Sequence, residues 1–395
     1  MANNTHNYNI EKMLASDLIT DRAKEALLVL TEKGTMVETA IALGIRKRTL
    51  QDLLSRANKS MMAEELESVV PNSHVLQGTS TLYKVNEETG QKEEVLQWVK
   101  TKTDKDNELE MVHQVTSELA RSVEGLAVPV EVPELVQDDL LVTYVSTDLH
   151  LGQYSWAEET GSDVNAETVY RNTVMAMRLL RDTTPNAKEC IVLDLGDTLH
   201  SSDDANRTKS GHVLDVDTRH AKVFKALVDM KIEMIDLALE KHEIVKYVIV
   251  AGNHSDLVPN YLMAMLSAYY RNEPRFQVDE NVAIHKYHRH GETLLGFTHG
   301  HTSKMARLSE VMVWDRKDDI SSTSYRYWLT GHVHSDRVLD GGICRCESFR
   351  NNTKNDAWAA GMGFRGNKQT TAVTYSRQWG EVNRTIIPIA MLEKQ

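Results

Sequence analysis

The chain has 395 residues, 41% of them hydrophobic, enough for one large core plus smaller modules, and its length suggests two or three domains. A net charge of −12 excludes a surface that is basic all over, so contact with nucleic acid must use local basic patches or metal ions. With 3 cysteines there is no multi-disulfide framework, and the usage fits a reducing compartment. No apolar run reaches the ~18 residues of a membrane span. The first residues lack a signal-peptide core. A soluble cytoplasmic protein with no membrane partner is expected.

Residues 20–57 predict three short helices. Thr20 caps the first, whose apolar face is Ala23, Ala26, Leu27 and Leu30, and Gly34 stops it. Thr35 with Glu38 forms a capping box for the second, which carries Val37, Ala40 and Ile41. Gly44 breaks it, and the third presents Leu50, Leu53, Leu54 and Ala57. Ala40, Gly44 and Leu50 have the spacing of a helix-turn-helix: a small residue for close approach, a tight turn, and a plug between the helices. The third helix opens on Arg46, Lys47 and Arg48 and exposes Thr49, Gln51 and Arg56, side chains suited to phosphates and base edges. DNA contact is the first reading. A charged face used for protein docking or dimerisation is the second, and it leaves room for a homo-oligomer.

Apolar and polar residues alternate on both sides of Glu88-Thr89-Gly90, which predicts a β-hairpin over 76–103. An amphipathic helix is expected over 105–123, with Leu109, Val112, Leu119 and Val123 on one face. GLAVPVEVPELVQDD, with Pro129 and Pro133, reads as a linker. The expected organisation is therefore a helical domain over 1–75, a middle segment over 76–139 and a main domain over 140–395.

In the main domain, LLVTYVS, ECIVLDL, VKYVIVA, TLLGFT and YRYWLT alternate with helical segments at about 166–182, 218–241, 259–271 and 303–316. Such alternation argues for an α/β domain. Cys190 reads as core, and Cys344 and Cys346 as part of a strand.

Polar residues cluster just after these runs: Asp148-Leu149-His150, Gly196-Asp197, Gly252-Asn253-His254, His299-Gly300-His301 and Gly331-His332-Val333-His334. In open α/β sheets, ligands bind beyond the carboxyl ends of strands. Carboxylate, imidazole and amide groups without thiolate suit divalent first-row metals. Two such ions ~3.5–4 Å apart can neutralise a phosphoryl group, given one shared carboxylate and separate ligands for each. The adjacent glycines allow the backbone to turn sharply and approach.

In that order the motifs DLH, GD, GNH, an isolated H and GHVH resemble those of the calcineurin-like metallophosphoesterases, and STDLHLG is similar to the first motif of DNA-repair nucleases among them. The resemblance implies a fold of two packed β-sheets flanked by helices, preceded here by the small helical domain. It also implies roles. Asp148, His150 and His334 would hold the first metal, Asp197 would bridge, and Asn253, His299 and His332 would complete the second. His254 would stand near the leaving-group oxygen as proton donor or electrostatic stabiliser. The family places Asp or Glu after GNH, whereas this chain has Ser255 and then Asp256. For the isolated histidine, His285, His288 and His290 are alternatives to His299, but they precede the TLLGFT run rather than follow it. His301 reads as a substrate contact or a neighbour.

Arg207, Lys209 and Arg219 are candidate phosphate contacts, or members of an ordinary charged loop. The segment SFRNNTKNDAWAAGMGFRGNK offers Arg350, Lys354, Arg365 and Lys368, with Trp358 or Phe364 for base stacking. The expected function is hydrolysis of phosphodiester bonds in nucleic acid, first of all DNA, by a hydroxide held between two ions. Mn²⁺ leads, and Fe²⁺ or Zn²⁺ is compatible. The alternative is a phosphodiesterase or phosphatase acting on small nucleotides or phosphoproteins, with the helix-turn-helix used for assembly. A helical DNA-binding module beside such a domain suggests a bacterial or viral protein.

Overall fold

The computed structural model describes residues 10–17, 19–67, 74–85, 92–103, 114, 116–201, 206, 213–254 and 256–392, and the chain divides into two compact units, Met1–Gln114 and Val115–Gln395.

In the first unit, helix α1 (Ile10–Ala15) precedes α2 (Asp21–Lys33), α3 (Met36–Ala42) and α4 (Lys47–Glu67). The three expected helices are present, though α4 runs on to Glu67 instead of ending near Ala57. Met13 from α1 joins Ala26, Leu27, Leu30, Ala40, Leu50 and Leu54 in one core. Gly34 ends α2 in the left-handed region at φ 75°, donating its N–H to Leu30 O. Thr35 accepts from Glu38 N at 3.3 Å, but its hydroxyl also donates to the Glu38 carboxylate at 2.9 Å, in place of the backbone bond of a full capping box. Val37 and Ile41 are exposed because the inward stripe of α3 runs through Met36, Thr39, Ala40 and Leu43 instead. Strands β1 (His74–Val85) and β2 (Lys92–Thr103) form the expected antiparallel hairpin, and Trp98 is exposed. Residues 86–91, its turn, lie outside the described residues.

The second unit begins with helix α5 over residues 116–122; most of the expected helix over 105–123 lies outside the described residues. The stretch expected as a linker is packed. Gly125 N donates to Ala268 O at 2.9 Å, Ala127 N to Tyr269 O at 3.2 Å, and Arg275 Nη2 to Val130 O at 2.7 Å. Leu119, Val123, Ala127 and Val130 cover the main core, which outweighs the solubility of the intervening acidic residues.

A six-stranded sheet has the order β13-β12-β3-β4-β5-β6. Its strands are β3 (Gln137–Ser146), β4 (Ala187–Asp194), β5 (Ile244–Ile249), β6 (Phe276–Val278), β12 (Gln369–Ser376) and β13 (Gly380–Pro388). A five-stranded sheet follows the order β10-β11-β9-β8-β7. It comprises β7 (Lys286–His290), β8 (Thr293–Thr298), β9 (Tyr325–Thr330), β10 (Arg337–Asp340) and β11 (Arg345–Ser348). Strands β3 to β6 are mutually parallel, as are β8, β9 and β11, and the remaining pairings are antiparallel.

Side chains alternate across each strand, and the alternation builds two cores. Leu141 and Val145 of β3, with Ile191 and Leu193 of β4, face the other sheet and meet Leu295, Phe297 and Leu329. Val142, Tyr144, Cys190 and Val192 face outward, where α7 (Ala166–Thr183), α8 (His220–Leu239) and α9 (Val258–Tyr269) cover them. On the second sheet, Leu308 and Met312 of α10 (Met305–Asp315) pack over Leu294, Trp328, Cys344 and Cys346. The result is a helix–sheet–sheet–helix sandwich, the calcineurin-like architecture. Among the described residues no helix is long and apolar enough to cross a membrane.

Candidate metal centre

Every motif sits at the carboxyl end of a strand. Asp148 follows β3, Asp197 follows β4, and Asn253 and His254 follow β5. His299 follows β8, and His332 and His334 follow β9, so both sheets deliver ligands to one edge of the sandwich.

Two groups of donor atoms converge there, Asp148/His150/His334 and Asp197/His299/His332. In the first, His334 Nε2 lies 3.1 Å from Asp148 Oδ1 and 3.3 Å from His150 Nε2. In the second, His299 Nε2 lies 3.0 Å from Asp197 Oδ2 and 3.2 Å from Asn253 Oδ1. Ligand atoms bound at ~2.0–2.2 Å to one ion stand ~3.0–3.5 Å apart in tetrahedral or octahedral geometry. The spacings therefore fit a divalent cation in each group. His299 Nε2 is 4.0 Å from Asp148 Oδ1, so the two groups adjoin.

The surrounding bonds aim these side chains. His299 donates Nδ1–H to Leu195 O at 2.7 Å, which turns Nε2 toward the carboxylates. Asp148 Oδ2 accepts from Thr147 Oγ1 and from His332 N at 2.9 Å; Asp197 Oδ1 accepts from His254 N at 2.8 Å. Among the described residues, Asp148, His150, Asp197, His332 and His334 have positive φ between 46° and 70°, and Asn206 alone of the other non-glycine residues shares the region. Such backbone costs ~1–3 kcal/mol per residue and concentrates at functional sites. Two glycines permit the packing. A Cβ on Gly252 would stand 2.0 Å from Asp197 Oδ1, and one on Gly331 would stand 2.0 Å from Thr147 Oγ1.

Electrostatics follow from burial and pairing. Burial alone would raise the Asp148 carboxyl, but the hydrogen bond and charge of His334 outweigh it and hold it at about 2. Burial pushes His150 well below its ordinary value, and the neighbouring imidazoles His254 and His334 push it further. A neutral imidazole is the form that ligates a metal. Burial also opposes charge on His299, yet the hydrogen bond to Asp197 overrides it and lifts the ring to about 9.

The structure brings together all seven expected ligands, and His299 takes the place of the isolated histidine. His285 instead faces Trp328, while His288 and His290 lie on β7. His254 donates Nδ1–H to His200 O at 3.0 Å, so a backbone carbonyl orients the ring; Ser255 lies outside the described residues. His200 escaped the sequence reading. It is buried, stacks on His254 with centroids 5.9 Å apart, and forms a third imidazole group with His150 and His254. Burial takes it down to about 4. The signal available was its place three residues after Asp197, on a loop already carrying a ligand.

A cavity of about 860 Å³ opens over the centre, lined among others by His254, His301, Lys354, Asp356, Trp358 and Phe364. The expected phosphate contact Arg219 precedes α8, is exposed, and is not among the lining residues; Arg207 and Lys209 lie outside the described residues. Arg350 pairs with Asp336, and Lys368 donates to Asn351 Oδ1 at 2.8 Å. Arg365 donates to the carbonyls of Ala360 and Phe364. Arg46, Lys47, Arg48 and Gln51 are exposed at the start of α4 in the other unit.

No family model and no curated protein matches the chain. Solved structures are similar to its α/β part. A conserved Streptococcus pneumoniae protein described as a predicted phosphoesterase is 10% identical, at TM-score 0.26, covering 64% of this chain and 99% of its own. Vacuolar protein sorting 29 from Cryptosporidium parvum is 15% identical, at TM-score 0.29, covering 64% and 98%. Sulfate thiohydrolase SoxB from Thermus thermophilus is 12% identical, at TM-score 0.31, covering 66% and 58%. What this chain shares with the calcineurin-like metallophosphoesterases is the order of its motifs and the two-sheet fold that gathers them.

Proposed function

We propose that the chain is a two-metal phosphodiesterase acting on nucleic acid, DNA foremost. The observation that carries this reading is the pair of adjoining donor groups whose ligand spacings each fit a divalent cation. Asp148, His150 and His334 would hold one ion, and Asn253, His299 and His332 the other. Asp197, 3.0 Å from His299 Nε2, would serve as the carboxylate shared between them. The oxygen and nitrogen donors, free of thiolate, favour Mn²⁺ and accept Fe²⁺ or Zn²⁺. When bound, the ions supply Lewis acidity, lowering the pKa of water and neutralising phosphoryl charge.

The chain's own groups do the rest. Water loses one proton to solvent as its oxygen bonds to phosphorus, and the P–O bond to the leaving group breaks with its electron pair on the leaving-group oxygen. His254, held by the His200 carbonyl through Nδ1, lines the cavity and would hand a proton to the leaving oxygen. The exposed Arg46, Lys47, Arg48 and Gln51 of α4 support a DNA contact as the second anchor. The carboxylates around the cavity favour a second reading, small nucleotides as substrate, since they repel a long polyanion.

The test is a substrate panel of single- and double-stranded DNA, RNA, cyclic nucleotides and a phosphopeptide, with Mn²⁺ and with chelator. Metal-dependent cleavage of DNA is expected. Turnover of small phosphodiesters with every nucleic acid left intact would sink the nucleic-acid reading. His254→Ala should slow poor leaving groups ~10²–10⁴-fold and activated ones far less.

A further inference from the structure

Two large aromatic side chains stand unburied at the mouth of the metal cavity. Trp358 is 67% exposed and Phe364 52%, with ring centroids 6.0 Å apart and planes 45° from one another. Exposed rings side by side on a concave rim expose apolar surface that a ligand can cover.

Their placement is built. Trp358 lies on α12 (Ala357–Gly361), whose N-cap Asp356 accepts from Ala359 N at 2.8 Å. Phe364 N donates to Ala359 O at 3.1 Å, and Asn355 Nδ2 donates to Phe364 O at 2.7 Å, closing the segment on itself. The segment is also tied to the first metal loop. Thr353 Oγ1 donates to Leu149 O at 2.6 Å, between ligands Asp148 and His150, and Gln153 Nε2 donates to Lys354 O at 2.8 Å. These bonds hold the backbone that carries Trp358 and Phe364 against the loop bearing Asp148 and His150. Exposed Val213 and Ile284 add further apolar surface to the lining.

Charge narrows the ligand. Among the described residues lining the cavity, Asp197, Asp215, Asp256 and Asp356 accompany one lysine, Lys354. A base paired in a duplex keeps its face inside its own stack. An unpaired base has a free π-face and needs no rim cations.

We propose that Trp358 and Phe364 are a stacking platform for an unpaired nucleobase beside the scissile phosphodiester, so that the substrate is a nucleoside phosphodiester presented single-stranded. The proposal rests on the phosphodiesterase reading above and adds what the site selects. The same chemistry is offered by a dinucleotide and by the end of a DNA strand.

The experiment measures KM and kcat with Mn²⁺ on three substrates: dithymidine monophosphate, its counterpart with both thymines replaced by hydrogen, and a single-stranded DNA oligonucleotide. For the W358A/F364A double variant, KM on the two base-bearing substrates is expected to rise about tenfold, with kcat within twofold. Wild type should already show the raised KM on the counterpart, and the variant should add nothing there. Trp358→Tyr, which keeps a ring, should restore the wild-type KM. A rise on the oligonucleotide alone assigns the platform to strands, and a rise on both assigns it to any nucleoside diester. An unchanged KM on both overturns the platform while leaving the phosphodiesterase reading intact. Wild-type enzyme that cleaves bis(4-nitrophenyl) phosphate but no nucleoside substrate overturns the nucleic-acid reading and the platform with it.

Discussion

Gly252→Ala isolates the close approach on which the centre depends. A Cβ at position 252 would lie 2.0 Å from Asp197 Oδ1 and 2.4 Å from the Asp197 backbone nitrogen. The carboxylate could rotate away, but the nitrogen cannot, so the β4 and β5 loops must part by about 1 Å to reach ordinary contact. Gly252 does not have positive φ, so the substitution adds no backbone penalty and acts by volume alone. Asp197 is the residue displaced, and it faces both His254 N at 2.8 Å and His299 Nε2 at 3.0 Å. A misplacement of that size costs ~10²-fold in rate. Overpacking costs ~1–3 kcal/mol in stability. The assay is Mn²⁺-dependent hydrolysis of bis(4-nitrophenyl) phosphate beside a thermal melt. Gly341→Ala serves as control, since its Cβ would meet nothing closer than Ser309 Oγ at 3.7 Å. Activity at or below a few per cent of wild type, with the control unaffected, is expected. A Gly252→Ala enzyme at the wild-type rate would refute the claim that this contact sets Asp197.

Two further predictions concern buried charge. Lys231 of α8 lies 2.7 Å from Asp194 Oδ2 at the end of β4, both almost fully buried, and Asp194 also accepts from Thr198 and Gly196 N. Lys231→Met should cost ~3–5 kcal/mol by stranding the carboxylate, and Lys231→Met/Asp194→Asn should cost less than the two singles combined. Denaturant unfolding that finds the costs additive would contradict the pairing. At Lys368, burial takes the ammonium down to about 8. The unfolded chain binds the proton more tightly, so the penalty on folding is full below pH 8 and fades as pH rises toward ~10.4. Wild type should therefore gain stability relative to Lys368→Met between pH 8 and 10, with ~3 kcal/mol as a ceiling. A pH-independent difference in Tm would exclude this.

The strands that carry ligands were legible because both their faces are buried: β3, β4, β5, β8 and β9 read as continuous apolar runs. Strand β10 was not, since all four of its residues are exposed, and β6 has only three residues. The packed stretch after Gly125 looks like a linker because its two prolines and acidic residues resemble solvated chain, while the backbone bonds that join Ala127 and Val130 in holding it to the core are not displayed by sequence. The seven candidate ligands, which the fold brings together, were named from motif order. His200 was not, because burial against His254 arises only from folding. Arg219, which follows the Asp197 loop in sequence, precedes α8 and is not among the residues lining the cavity.

The central claim is that Asp197 joins two cation sites into one centre. Calorimetric titration of metal-free protein with Mn²⁺ tests it most directly. Wild type should bind two ions per chain, and Asp197→Asn should lose high-affinity binding at both sites. A single ion per chain in wild type, or an Asp197→Asn protein that still binds two ions with unchanged affinity, would contradict it.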